Sequence, residues 1–166
     1  MRGIESFIES IALIDQGELY ICGDGELKDY CLEMDKKYNN INFLGRLSYV
    51  EMMSLAMSAD VIIGMYYKSC PNHLYASPNK YYEHLALGKP LLTTIDTPPG
   101  VKVEINDTGW AIGEDAKDIR DFLSTINHLD IERKSKNARA VWERKYNNYY
   151  QSIVDNYIKN VIGGKK

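Results

Sequence analysis

Short apolar runs, each stopped by a turn, alternate with segments of helical periodicity along most of this chain. Leu19-Tyr20-Ile21-Cys22 is stopped by Gly23-Asp24-Gly25, and Ile41 to Leu44 is stopped by Gly45. Asp60-Val61-Ile62-Ile63 and Leu91-Leu92-Thr93-Thr94 follow, with Gly109-Trp110-Ala111-Ile112 as a weaker fifth. Between them the apolar residues recur at helical spacing over residues near 2–15, 26–38, 49–58 and 78–87, and again over 115–128, 131–144 and 146–161. Strands separated by helices imply parallel strands joined by right-handed crossovers. Short strands that are apolar throughout are covered on both faces. The expected fold is therefore α/β: a doubly wound, Rossmann-like, mostly parallel sheet of about five strands. The 166 residues suffice for one such domain, with its last helices at about 131–161, and not for two of full size.

Doubly wound sheets bind ligands beyond the carboxyl ends of their strands. The positions to inspect are therefore Gly23–Gly25, Gly45–Leu47, Gly64–Pro78 and Thr94–Gly100. The richest of these leads into Ser77-Pro78-Asn79-Lys80-Tyr81-Tyr82-Glu83-His84-Leu85-Ala86-Leu87-Gly88-Lys89-Pro90. Ser77 suits an N-cap and Pro78 the first helical position. Asn79 and Lys80 then fall in the first turn, where free N–H groups and the helix dipole favour an anion such as phosphate. Lys80 has the wrong sign for that place unless an anion sits there; the plainer reading is that it bends into solvent or pairs with Glu83. Glu83 lies six residues past the Ser77 cap, roughly 9 Å along the helix. A carboxylate at that distance can accept hydrogen bonds from two vicinal hydroxyls.

Composition removes several classes. The net charge of −3 offers no basic footprint for nucleic acid. No apolar run approaches the roughly 20 residues of a membrane span, and Met1-Arg2-Gly3-Ile4-Glu5 does not open like a signal peptide. Three scattered cysteines (Cys22, Cys31, Cys70) read as reduced thiols of a cytosolic protein, and three unclustered histidines give no metal site. Of thirteen tyrosines, Tyr146, Tyr149, Tyr150 and Tyr157 share a helical spacing and read as packing residues.

The segment Asn72-His73-Leu74-Tyr75-Ala76-Ser77-Pro78-Asn79-Lys80-Tyr81-Tyr82-Glu83, followed by Ala86-Leu87-Gly88-Lys89-Pro90, resembles the donor-binding signature of GT-B glycosyltransferases. The family is "glycosyl transferases group 1" (GT4-like), and the subgroup is a bacterial one with a PNK-x-x-E core. Other landmarks follow in order. Arg2-Gly3-Ile4-Glu5 resembles the family's K-G-I-E, Leu19 to Gly25 its strand ending in G-D-G, and Asn42-Phe43-Leu44-Gly45 its V-x-F-x-G turn. Ala59-Asp60-Val61 and Asp107-Thr108-Gly109 resemble two later signatures.

The resemblance implies the C-terminal, donor-binding half of a retaining hexosyltransferase of glycan biosynthesis. Its substrate would be a nucleoside-diphosphate sugar such as a UDP or GDP sugar, with no cofactor and no essential metal. Glu83 would hold the ribose hydroxyls. Backbone amides near Ser77 to Asn79, a stretch that runs through Pro78, would with Lys80 face the diphosphate or the sugar. Gly23, Asp24, Gly25, Gly45, Arg46 and Leu47 would flank the nucleobase, although both turns read equally well as plain strand-to-helix punctuation.

Two departures stand out. The first of the family's two spaced glutamates falls on Tyr75, and the strand that precedes the first helix in the family is missing. That loss would leave a gap between the Leu19 and Val61 strands, or a place for a strand borrowed from another chain. The acceptor-binding N-terminal domain is also missing, so that domain, or another chain supplying it, is the expected partner. The expected location is cytoplasmic, or peripheral to a membrane within a full enzyme. No catalytic nucleophile or base can be picked out, and the isolated chain is expected to be inactive. The rival reading is a non-catalytic nucleotide-binding or partner domain that completes another subunit. A 2-epimerase of related architecture would need acids and a histidine from a full two-domain cleft.

Overall fold

The computed structural model describes residues 4–14 and 17–159, apart from the side chain of Tyr157. Arg2 and Gly3 of the opening motif and the glycine-rich tail at 163–166 lie outside the described residues. The order is α1 (Glu5–Ile11), β1 (Leu19–Ile21), α2 (Lys28–Lys37), β2 (Ile41–Phe43), α3 (Tyr49–Ser58), β3 (Ile62–Gly64), α4 (Asn79–Leu87), β4 (Leu91–Thr94), α5 (Pro98–Ile105), β5 (Gly109–Ile112), α6 (Ala116–Thr125), α7 (His128–Lys145) and α8 (Tyr149–Tyr157). A short 3-10 turn, Pro71–Leu74, interrupts the loop before α4.

All five strands are parallel, as their periodicity implies, but they form two sheets rather than one. β1 pairs with β2 in one, and β3, β4 and β5 pair in that order in the other. A single core joins them. Leu19, Ile21 and Ile41 of the first sheet and Leu92 of the second pack with Phe7, Ile8 and Ile11 of α1, Cys31 and Met34 of α2, and Ile119 and Phe122 of α6. On the opposite face Ile62 and Leu91 pack with Tyr81 and Leu85 of α4, Val103 of α5, and Ala138 and Val141 of α7. The winding is therefore double.

The helix faces also order the strands. α2 lies on the first face, whereas α3, through Ala56, and α4 lie on the second. Right-handed crossovers then require β1 to β2 to run one way, and β2 to β3 to β4 the other. The order across the molecule is β2, β1, β3, β4, β5. β1 and β3 are neighbours in this order, yet they do not pair. Backbone bonds from Leu19 and Gly23 go to Asn40 and Gly45 on either side of β2, and that from Ile62 goes to Pro90 just before β4. In a parallel ladder the alternate residues Tyr20, Cys22, Val61 and Ile63 therefore aim their N–H and C=O groups at the gap.

α5 is a finding that the pattern above leaves within a post-strand loop. Thr97 caps it by accepting from the N–H of Gly100, and Pro98 and Pro99 open its first turn. Its entry is tight: a Cβ on Gly100 would lie 2.4 Å from the carbonyl oxygen of Thr94. Within the described residues α1 ends at Ile11, before the expected 15, and α8 begins at Tyr149, after the expected 146. Among the described residues no helix is long and apolar enough to cross a membrane, and no group of three or more His, Cys, Asp or Glu could hold a metal ion.

Candidate functional site

β3 ends at Gly64, and the chain re-enters regular structure at Asn79. The intervening loop is tied down by side chains on neighbouring strand ends. The buried Thr94 hydroxyl accepts from the N–H of Tyr66 at 2.8 Å, and the Glu114 carboxylate accepts from the N–H of Lys68 at 2.8 Å. Lys68 also reaches Asp96 at 3.3 Å, and Asp96 holds a left-handed backbone conformation (φ 60°) just after β4. The loop therefore delivers α4 to the carboxyl edge of the sheet as a fixed element.

The N-terminus of α4 differs by one residue from the sequence expectation. Ser77 is not the cap. Pro78 is, with an extended ψ of 146°, and the helix opens at Asn79 with no side-chain capping bond. Because Pro78 is itself extended rather than helical, the first helical residue is Asn79 and Ser77 falls one residue short of the cap position. Its hydroxyl is engaged elsewhere, 3.0 Å from the Tyr82 hydroxyl and accepting from Lys102 Nζ at 3.3 Å. Helices α3, α5, α6 and α7 carry side-chain caps, whereas α1, α2 and α8, like α4, do not. Asn79 and Lys80 nevertheless occupy the first turn of α4, as expected.

Glu83 does not point into the core. It lines an open depression of about 440 Å³ with Asn79, Tyr82 and Ala86 of α4, Tyr49 and Met53 of α3, and Trp142 of α7. Positions 79, 82, 83 and 86 form one helical face. Lys80 takes a different course. Its stem runs along the end of β3, where a Cβ on Gly64 would meet Lys80 Cδ at 3.1 Å. The Lys80 stem therefore packs at the end of β3, while Glu83 lines the depression.

The two glycine turns lie beside each other: the N–H of Gly23 donates to the carbonyl of Gly45 at 2.8 Å, and Arg46 meets Asp24 at 3.3 Å across exposed surface. Gly23 (φ 147°) and Gly45 (φ 65°) both lie in the region that disfavours side chains. Added Cβ atoms at Gly23, Gly25 or Gly45 would meet nothing within 4 Å, so the backbone there is open to approach. Neither turn lines the depression that contains Glu83. Tyr49 links the two regions, since it opens α3 directly after Leu47 and Ser48.

His84 follows Glu83 but faces the opposite way and is fully buried. Burial pushes its imidazole down to about 4, and the bond from Nδ1 to the Lys89 carbonyl (2.8 Å) only partly opposes this. A neutral ring donates through Nδ1, leaving Nε2 as a buried acceptor with no partner. Thr94 and Asp96 fall within the post-strand segment Thr94–Gly100 that sequence reasoning singled out, whereas it missed Lys102 and Glu114, which reach the site from distant elements. The Thr97-Pro98-Pro99 start signal would have placed α5, and with it Lys102, near this edge.

A family model described as "Glycosyl transferases group 1" matches residues 1–129. Among solved structures, the chain is similar to WaaG, a glycosyltransferase involved in lipopolysaccharide biosynthesis, at 18% identity and a TM-score of 0.68, covering 96% of this chain and 44% of that one. It is similar to sucrose-phosphate synthase from Thermosynechococcus elongatus at 19% identity and a TM-score of 0.67, covering 93% and 43%. It is also similar to S. aureus TarM, crystallised with UDP among its ligands, at 17% identity and a TM-score of 0.64, covering 94% and 32%. The chain thus spans less than half the length of each of these structures. A search of curated protein sequences finds no match.

Proposed function

Because this chain belongs to the glycosyl transferases group 1 family, we propose that it is the donor-binding half of a retaining GT-B glycosyltransferase. It would bind a nucleoside-diphosphate sugar at the edge where α4 begins. One observation carries this reading: Glu83 faces an open depression beside a helix terminus that no side chain caps. A diphosphate at that terminus would meet the N–H groups of the first turn and the helix dipole, with Lys80 on one flank. The pentose would then lie back along α4, where the Glu83 carboxylate can accept from two hydroxyls. The open glycine turns at Gly23–Gly25 and Gly45–Leu47 would border the nucleobase. During transfer, the same positive groups would stabilise the departing diphosphate.

The acceptor site belongs to the remainder of a two-domain enzyme, in keeping with a chain that spans under half of its structural neighbours. The purified chain should bind nucleotide without turnover, and sugar transfer by it would contradict the proposal. Calorimetric titration with UDP, GDP and ADP tests the site. One of them is expected to bind, and Glu83→Ala and Lys80→Ala are each expected to weaken it. Equal binding by wild type and both variants would overturn the assignment.

The split sheet favours a second reading beside the first. A strand supplied by another chain would fit between β1 and β3, so the domain would complete a partner subunit. Size-exclusion chromatography after mixing with an acceptor domain separates the two: a stable complex supports the second, and elution as two free species opposes it.

A further inference from the structure

α5 sends one side chain to the α4 terminus. Lys102 lies half-buried, with Nζ 4.8 Å from the centre of the Tyr81 ring and 5.6 Å from that of Tyr82. Tyr81 is almost wholly buried, so the ring beneath the ammonium is fixed in place. Nζ donates to the Ser77 hydroxyl, which in turn lies 3.0 Å from the Tyr82 hydroxyl. No carboxylate among the described residues forms an ion pair with Lys102. A half-buried ammonium packed against two rings, with only a neutral hydroxyl as its polar partner, retains much of its demand for an anion. It stands one residue ahead of the N-cap of α4, on the Tyr81–Tyr82 side of the helix, whereas Lys80 runs along the end of β3.

We propose that Lys102 is a second cation of the phosphate seat: with the Ser77 hydroxyl it holds one phosphoryl group of the bound nucleoside diphosphate against the first turn of α4. This rests on the donor-binding reading and adds to it a side chain from a different helix. α4 and α5 would then grip the diphosphate from two sides, which fixes its direction as well as its charge. Ser77 exchanges its contact to Lys102 for a shared one, in which both groups donate to phosphate oxygens.

The test is calorimetric titration of the 166-residue chain with UDP, GDP and ADP, on wild type, Lys102→Met, Lys102→Gln and Lys102→Arg, with Tm recorded for each. Met keeps an apolar stem of similar length over the two rings and removes the ammonium, charge and donors together. Loss of one charge-assisted hydrogen bond predicts about tenfold weaker binding in the Met and Gln variants. Their Tm should stay unchanged, and Arg should restore most of the affinity. If Lys102→Met and Lys102→Gln bind as tightly as wild type while Glu83→Ala binds more weakly, this proposal falls and the donor site stands. Weaker binding in parallel with a fallen Tm would assign Lys102 a structural role and also overturn it. If wild type binds none of the three nucleotides, the donor-binding reading falls, and this proposal with it.

Discussion

His84 is the clearest case of a single residue whose environment sets a measurable property. Its folded-state pKa is about 4, against an ordinary value near 6.5. Between those values the unfolded chain binds a proton that the folded chain refuses. Stability should therefore rise with pH from about 4 to about 6.5 and level off above, by about 3 kcal/mol in total. Urea titrations across that range check this, and His84→Leu should flatten the slope. An unchanged slope in the variant would place the titrating group elsewhere. Gly100 makes a steric prediction. A methyl there meets the Thr94 carbonyl oxygen at 2.4 Å, so Gly100→Ala should cost about 2 kcal/mol or more. At Asp107 the left-handed backbone and a side chain bonded to Arg133, Lys134 and Asn137 anchor α7 to the turn before β5. Lys134 is nearly buried, so Asp107→Ala should destabilise by about 1–3 kcal/mol in thermal melts.

At the scale of elements, α4 shares the lack of a side-chain cap with α1, α2 and α8, and it is the depression beside Glu83 that sets it apart. α3 buries none of its residues, and Tyr49, Val50 and Met57 are largely exposed despite their apolar character. A full capping box between Ser48 and Glu51 defines its start. Ser48→Ala should therefore cost about 1 kcal/mol, whereas Ser77→Ala should leave stability nearly unchanged, because Ser77 caps nothing. Equal losses in the two variants would contradict this. The five strands and the central helices were legible because apolar periodicity and glycine stops act locally. α5 was hidden by Pro98-Pro99-Gly100, which reads as a loop until Thr97 is seen as its cap. The place of Ser77 was off by one because local cap preference ignores its contacts with Tyr82 and Lys102. Lys102 was not legible at all, since its role depends on α5 lying beside α4. The course of the Lys80 stem was not legible, because it depends on how α4 sits over Gly64 at the end of β3.

The whole molecule is a doubly wound domain divided between β1 and β3. The core made by α1, α2 and α6 bridges the division on one face, so the two sheets cohere without sharing a hydrogen bond. The backbone groups of Tyr20 and Ile63 aim at the gap. Hydrogen exchange should find their amides exchanging faster than those of Ile21 and Leu92, which lie within paired ladders. Equal protection would mean that the edges are covered. The proposed grip of Glu83 on the pentose of a nucleotide anchored at the tip of α4 is measured directly in a thermodynamic cycle. Binding of the preferred nucleoside diphosphate is compared with binding of its 2′,3′-dideoxy analogue, in wild type and in Glu83→Ala. Removing the hydroxyls should weaken binding to wild type by about tenfold and have little further effect in Glu83→Ala. An equal penalty in both proteins would contradict it.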